Sequence, residues 1–273
     1  MNDWILRQEF SYATGKIQYD VEGEGPPLVL VHGTPWSSFN WRHIIPALAR
    51  WWTVYFYDLL GYGQSEKYAG QDVSLGVQNQ VLAALLDHWG LTSPFIVGHD
   101  FGGTTVLRTH LLENRDFRKI ALIDPVALGP WGSPFFRHVK EYQAAFDGLP
   151  DYIHETMLLA YVRGASYRPM ASETLLEITK PWLNDIGKPA FYRQVGQADQ
   201  RFTDDIEPMY GSITRPVLIL WGEQDEWIPI AKGRELHQVI PSSEMHSIPN
   251  AGHLVQEDAP AMVVSHLIKF FIE

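Results

Sequence analysis

Two kinds of apolar pattern alternate along this chain. Short runs rich in apolar and aromatic residues fall at 28–31, 52–57, 94–97, 120–123, 216–220 and 245–248, and predict strands, the most apolar of them buried on both faces. Between them the spacing turns helical. Trp41, Ile44, Ile45 and Leu48 recur at helical intervals within 37–50, and Val77, Val81, Leu82, Leu85 and Leu86 mark an amphipathic helix ending near Gly90. Further helices are expected over 104–113, 232–239 and 262–271. Ahead of all these, 5–12 and 16–21 flank Ala13-Thr14-Gly15 and read as two antiparallel strands joined by a tight turn. Strands alternating with helices predict a mostly parallel sheet flanked by helices, with right-handed crossovers. Ligands of such sheets gather at the carboxyl ends of the strands.

From residue 128 to 211 the alternation stops. This stretch carries Trp131, Phe135, Phe136, Tyr142, Phe146, Tyr152, Tyr161, Tyr167, Trp182, Phe191 and Tyr192 among mainly helical spacings, with no buried-strand run. It predicts a helical insertion after the sixth strand. Residues 1–127 and 212–273 would form the α/β core and 128–211 a lid. No internal repeat interrupts this division.

Composition narrows the function classes. The 273 residues are 45% hydrophobic and 19% charged, as expected of a globular chain able to bury a large core. A formal net charge of −11, with no run among the 21 Lys and Arg, argues against nucleic acid as a partner. Cysteine is absent, which excludes disulfides and thiol nucleophiles. Met1-Asn2-Asp3-Trp4-Ile5 lacks the basic and apolar regions of a signal peptide, and no apolar run spans a bilayer, so a cytoplasmic protein without membrane contact is expected. The eleven histidines show no paired metal-ligand spacing, and neither metal nor cofactor is expected. Oligomeric state leaves no signature in the sequence.

The chemistry centres on Phe95-Ile96-Val97-Gly98-His99-Asp100-Phe101-Gly102-Gly103, a strand-to-helix turn with an acid at its apex. Asp is also a preferred helix N-cap, so this stretch alone leaves capping and catalysis open. Three other segments stand at predicted strand ends: Val31-His32-Gly33-Thr34-Pro35, the Trp221-to-Pro229 stretch containing Asp225, and Pro249-Asn250-Ala251-Gly252-His253-Leu254. Acid, acid and histidine thus occur in the order Asp100, Asp225, His253. A carboxylate is already anionic at neutral pH and can displace a leaving group at saturated carbon without a base. The ester so formed needs a base to activate water and donors to hold an oxyanion.

Over nearly its whole length, lid included, the chain resembles the α/β-hydrolase superfamily, whose elbow pattern G-x-S-x-G is here Gly98-His99-Asp100-Phe101-Gly102. The acid at the apex resembles the aspartate-nucleophile branch of epoxide hydrolases, haloalkane dehalogenases and haloacetate dehalogenases, and His32 to Pro35 matches its His-Gly-x-Pro loop. The resemblance implies that Asp100 attacks carbon, that His253 activates water and that Asp225 orients His253. The backbone N–H groups of Thr34 and Phe101 would form the oxyanion hole. Water and a small molecule are then the substrates.

The leaving group divides the branch. Haloalkane dehalogenases usually place Trp after the nucleophile and Asn in the oxyanion loop, where this chain has Phe101 and Thr34. Haloacetate dehalogenases resemble His-Asp-Arg at the elbow, from which Phe101 also departs. Epoxide hydrolases use two lid tyrosines, and Phe191-Tyr192-Arg193 resembles the segment bearing one of them. The expected reading is therefore epoxide hydrolase-like, with Tyr192 as a proton donor and Tyr142 or Tyr152 as its partner; packing is the alternative role for each. Dehalogenation is the runner-up, and a non-catalytic receptor on the same fold is a third reading. Trp36 either lines the pocket or belongs to the core, and Asp124, directly after a strand, is the alternative to Asp225 as orienting acid. His99 is expected to pack behind the elbow.

Overall fold

The computed structural model describes residues 4–273, so Met1-Asn2-Asp3 of the N-terminal reading lie outside the described residues. Eight strands form one sheet: β1 Gln8–Tyr12, β2 Gly15–Glu22, β3 Pro27–Val31, β4 Thr53–Tyr57, β5 Phe95–His99, β6 Ile120–Ile123, β7 Val217–Gly222 and β8 Ser243–Ile248. Their order across the sheet is β1-β2-β4-β3-β5-β6-β7-β8. The first two pairings are antiparallel and all the others parallel.

The central strands are unbroken apolar runs because they are covered on both sides. Val29 and Val31 of β3 pack into one apolar cluster, Leu28 and Leu30 into another across the sheet. Helices Leu75–His88 and Phe101–Leu111 pack against each other beside the first cluster, and Pro260–Ile272 sends Val263, Leu267, Phe270 and Phe271 into the second. The helix expected over 37–50 forms only as a 3-10 turn, Ser38–Trp41, and a single helical turn, Ile45–Leu48. Pro46 is the reason: without an N–H it cannot bond back to the preceding turn, so it fits only in the first turn of a new helix.

Between β6 and β7 the chain builds a helical cap from Pro134–Glu141, Gln143–Asp147, Asp151–Arg163, Ser172–Thr179, Gly187–Gln197 and Arg201–Asp204. Buried polar contacts tie it to the core. Asp258, 4% exposed, accepts hydrogen bonds from the backbone N–H of Tyr167 and Arg168 in the cap and of Gly252 in the core, at 2.8–2.9 Å. Trp182 donates its indole N–H to the Pro35 carbonyl at 2.8 Å, and Arg42 bridges Thr174 and Glu257. No helix among the described residues is long and apolar enough to cross a membrane.

Candidate active site

Asp100 leaves β5 with φ 54° and ψ −122°, a conformation that costs a non-glycine residue about 1–3 kcal/mol. Its neighbours hold it there. The Asp100 N–H donates to the Ile123 carbonyl at 3.2 Å, while the Asp100 carbonyl accepts from Gly103 at 2.9 Å and Val126 at 3.2 Å. Helix Phe101–Leu111 can start so close to β3 because Gly102 has no Cβ, which would collide with the Val31 carbonyl oxygen. The side chain does not cap this helix. Its Oδ1 instead accepts the Thr34 N–H at 2.7 Å, so the carboxylate belongs to the loop after β3 as well as to the elbow. The Phe101 N–H, first in the helix, meets no backbone or side-chain acceptor among the described residues.

His253 stands opposite, fully buried. Its Nδ1–H donates to Asp225 Oδ2 at 2.9 Å, and its Nε2 lies 3.2 Å from Asp100 Oδ2, an ion-pair contact short of an aligned hydrogen bond. Asp225 is fixed in turn by its own turn: Oδ1 accepts the N–H groups of Trp227 and Ile228, both at 2.8 Å. Burial opposes a charge on His253, but Asp225 and Asp100 outweigh it and hold the imidazole well above its ordinary pKa. His99 packs behind, donating to the His253 carbonyl at 2.9 Å; burial, reinforced by the neighbouring His253, pushes it down to about 3, so it stays neutral.

Asp124 follows β6 with φ 41° and is also fully buried. Its Oδ1 accepts the Gly222 N–H at 2.9 Å. Burial first, and then the charge of Asp225, raise its pKa well above the ordinary carboxylate range, which favours the protonated form. Between the two acids the structure puts Asp225, not Asp124, on His253.

A cavity of about 350 Å³ opens over Asp100. Thr34, Phe101, Val126, Leu128, Trp131, Phe136, Tyr161, Trp221, Trp227 and Leu236 give it a mainly apolar wall, and Lys232 and Glu235 stand among the lining. The tyrosines singled out in the sequence are elsewhere. Tyr192 is fully buried in the cap with its hydroxyl 2.6 Å from His154 Nδ1, because Gly187–Gln197 turns that face away from the cavity. Tyr142 and Tyr152 are 48% and 69% exposed on the outer cap surface. Trp36 is buried against Trp227 and stays outside the lining. The tyrosine that does reach the cavity is Tyr161, near the end of Asp151–Arg163, with no hydrogen-bond acceptor for its hydroxyl among the described residues. Its neighbours Leu158 and Val162 face the core of the cap; that helical spacing was the available signal. Trp227, two residues after Asp225, carried a signal too: a turn that wraps a carboxylate brings its own side chains to the site.

Residues 28–266 match the alpha/beta hydrolase family. The chain belongs to that family. An alpha/beta hydrolase fold protein from Burkholderia ambifaria is 47% identical, with a TM-score of 0.95 over 97% of this chain and 98% of that one. A soluble epoxide hydrolase from Corynebacterium sp. is 28% identical over 281 residues, covering 94% of this chain and 93% of its own length. Haloalkane dehalogenase 2 from Mycobacterium tuberculosis is 25% identical over 279 residues, 96% of this chain and 93% of its own. As an alpha/beta hydrolase, the chain has a mostly parallel eight-stranded sheet flanked by helices. Among the described residues no cluster of three or more His, Asp or Glu is arranged to hold a metal.

Proposed function

We propose that the chain is a hydrolase with Asp100 as nucleophile, opening epoxides on small apolar molecules. The observation that carries this reading is the Asp100 carboxylate itself, held at a left-handed elbow by the Thr34 N–H and ion-paired to His253. Oδ2 attacks an epoxide carbon and the C–O bond breaks. The alkoxide takes a proton from Tyr161, whose hydroxyl stays protonated because burial and the nearby Asp100 charge raise its pKa well above normal. Tyr161 then regains a proton and His253 gives one up, so the proton count of the site balances.

Esterification then changes His253. It removes the Asp100 charge that helps hold the imidazolium, so the ring becomes a base. Water loses a proton to Nε2 and attacks the ester carbonyl, whose oxygen is Oδ1, already 2.7 Å from the Thr34 N–H. The Phe101 N–H supplies the second donor, as in an oxyanion hole. Collapse of the tetrahedral species returns Asp100 as a carboxylate and frees the diol, with His253 again charged between two carboxylates.

Epoxide is favoured over halide by the donors facing the cavity. Phe101 has none, the Trp131 indole N–H is taken by Thr203 Oγ1 at 2.8 Å and that of Trp221 by the Ile228 carbonyl at 3.0 Å; the Tyr161 hydroxyl and the Trp227 indole N–H remain, and of these the hydroxyl is the one able to hand a proton to a departing alkoxide. Halide displacement is the second reading, supported by the Trp227 indole in the lining and by the relative named as a haloalkane dehalogenase. His253→Gln tests both. That variant should accumulate a covalent adduct on Asp100 when given reactive epoxides, read as a mass increase and mapped by peptide digestion. Adducts from alkyl halides alone would move the assignment to dehalogenation; turnover of a substrate by the unmodified protein with no adduct in the variant would end the covalent mechanism. An unmodified protein that binds apolar ligands and turns over none would make it a receptor.

A further inference from the structure

Trp227 meets Asp225, His253 and Tyr161 at once. Its backbone N–H fixes Asp225, its indole lies flat against the His253 ring at 5.0 Å with 27° between planes, and it stacks on Tyr161 at 4.5 Å and 21°. Trp36 stacks on it as well, at 5.5 Å and 16°. A cation over an indole face is attracted by the ring's quadrupole, most strongly where water is excluded, and His253 is fully buried. We propose that Trp227 is a positioning residue, which holds the His253 ring in line between Asp100 and Asp225 and favours its charged form until Asp100 is esterified. This function in the cycle rests on the Asp100 mechanism proposed above; the stack itself does not.

Several titratable groups face His253. Asp225 comes from the turn after β7, Asp100 from the elbow and neutral His99 from the end of β5, while Asp124 reaches it through Asp225. The two carboxylates are the main reason for its raised pKa, and the variants below isolate what the indole face adds to them. Trp227→Leu leaves an apolar side chain beside the ring but removes the π face, whereas Trp227→Phe keeps a face. The comparison separates the quadrupole from simple packing.

The experiment follows the low-field imidazolium N–H resonances of His253 by proton NMR across pH in the resting protein, with His253→Gln assigning them. Trp227→Leu should lose these signals about one pH unit lower than the unmodified protein, roughly 1.4 kcal/mol of differential interaction. Trp227→Phe should fall between the two, and in turnover Trp227→Leu should shift the acidic limb of the pH profile in the same direction. An unchanged midpoint in Trp227→Leu overturns the proposal, as does an equal shift in the Leu and Phe variants. If Trp227→Leu does not fold, the Phe variant still decides: a midpoint identical to the unmodified protein's leaves no contribution to find. Because no substrate enters the titration, its failure leaves the Asp100 mechanism standing, and failure of the Asp100 labelling leaves the titration intact.

Discussion

The two walls of the cavity hold their side chains by different means. On the core side the carboxylates are gripped by backbone: Asp100 by the Thr34 N–H, Asp225 by those of Trp227 and Ile228, Asp124 by that of Gly222. On the cap side the grip is side chain on side chain. Trp131 donates to Thr203, Phe136 packs beside Tyr161 at 6.4 Å, and Tyr161 rests on Trp227. Only substitution by proline removes a backbone donor, whereas many substitutions delete a side-chain neighbour. The arrangement of the first wall can therefore survive changes in the second.

Changes to the core wall should have the largest effects. Asp100→Asn should reduce turnover by on the order of 10⁴-fold or more, because the amide keeps the shape and loses the nucleophile. The check is steady-state product formation, with mass spectrometry excluding hydrolysis of the Asn back to Asp. Asp225→Asn should slow the overall cycle by on the order of 10³ to 10⁴-fold, since His253 loses its orienting acceptor. Ester formation should persist in that variant, so rapid quench should find adduct on Asp100 ahead of product. Equal loss of both steps would place Asp225 in the first step as well.

The same contrast decides what the sequence could reveal. Buried strands, glycine turns and the order Asp100, Asp225, His253 are local patterns, and a strand end fixes where its next residue points. The α/β core and the elbow were legible for that reason. Cap side chains were not, because a helix offers several faces and only tertiary packing chooses among them. Tyr192 sits in a recognisable Phe-Tyr-Arg segment, yet Gly187–Gln197 turns its hydroxyl to His154; Tyr161 sits in no motif and reaches the cavity. Trp36, next to Pro35, gave no sign that it would stack on Trp227, which itself stacks on His253.

That pair of tyrosines sharpens the comparison at an intermediate scale. Tyr161→Phe should lower epoxide turnover by about 10²-fold, at the lower end for loss of a general acid, with most of the loss in kcat. Tyr192→Phe should change turnover little and lower stability by about 1–3 kcal/mol, because it leaves the buried His154 Nδ1 without its partner. Kinetics and urea unfolding on the two variants read both effects. If Tyr192→Phe carries the kinetic loss and Tyr161→Phe does not, the cap rearranges around substrate and the resting cavity is a poor guide to its donors.

The smallest effect on activity is expected at Asp124, where the core wall offered the sequence two acids. An amide has nearly the shape of a protonated acid and can still accept the Gly222 N–H, so Asp124→Asn should retain activity within a few-fold. Its stability should depend on pH in a defined direction. Burial and the Asp225 charge raise the folded-state pKa of Asp124, so the folded protein keeps a proton that the unfolded chain releases once pH passes the ordinary carboxylate value. This contribution therefore destabilises the fold progressively as pH rises above about 4, until the folded pKa is reached. Asn does not titrate and escapes it. Asp124→Asn should melt higher than the unmodified protein at pH 7 to 8, and the difference should close as pH falls toward 4. A variant that melts lower at pH 8 and loses turnover as Asp225→Asn does would mean that Asp124 is ionised and is the acid that orients His253.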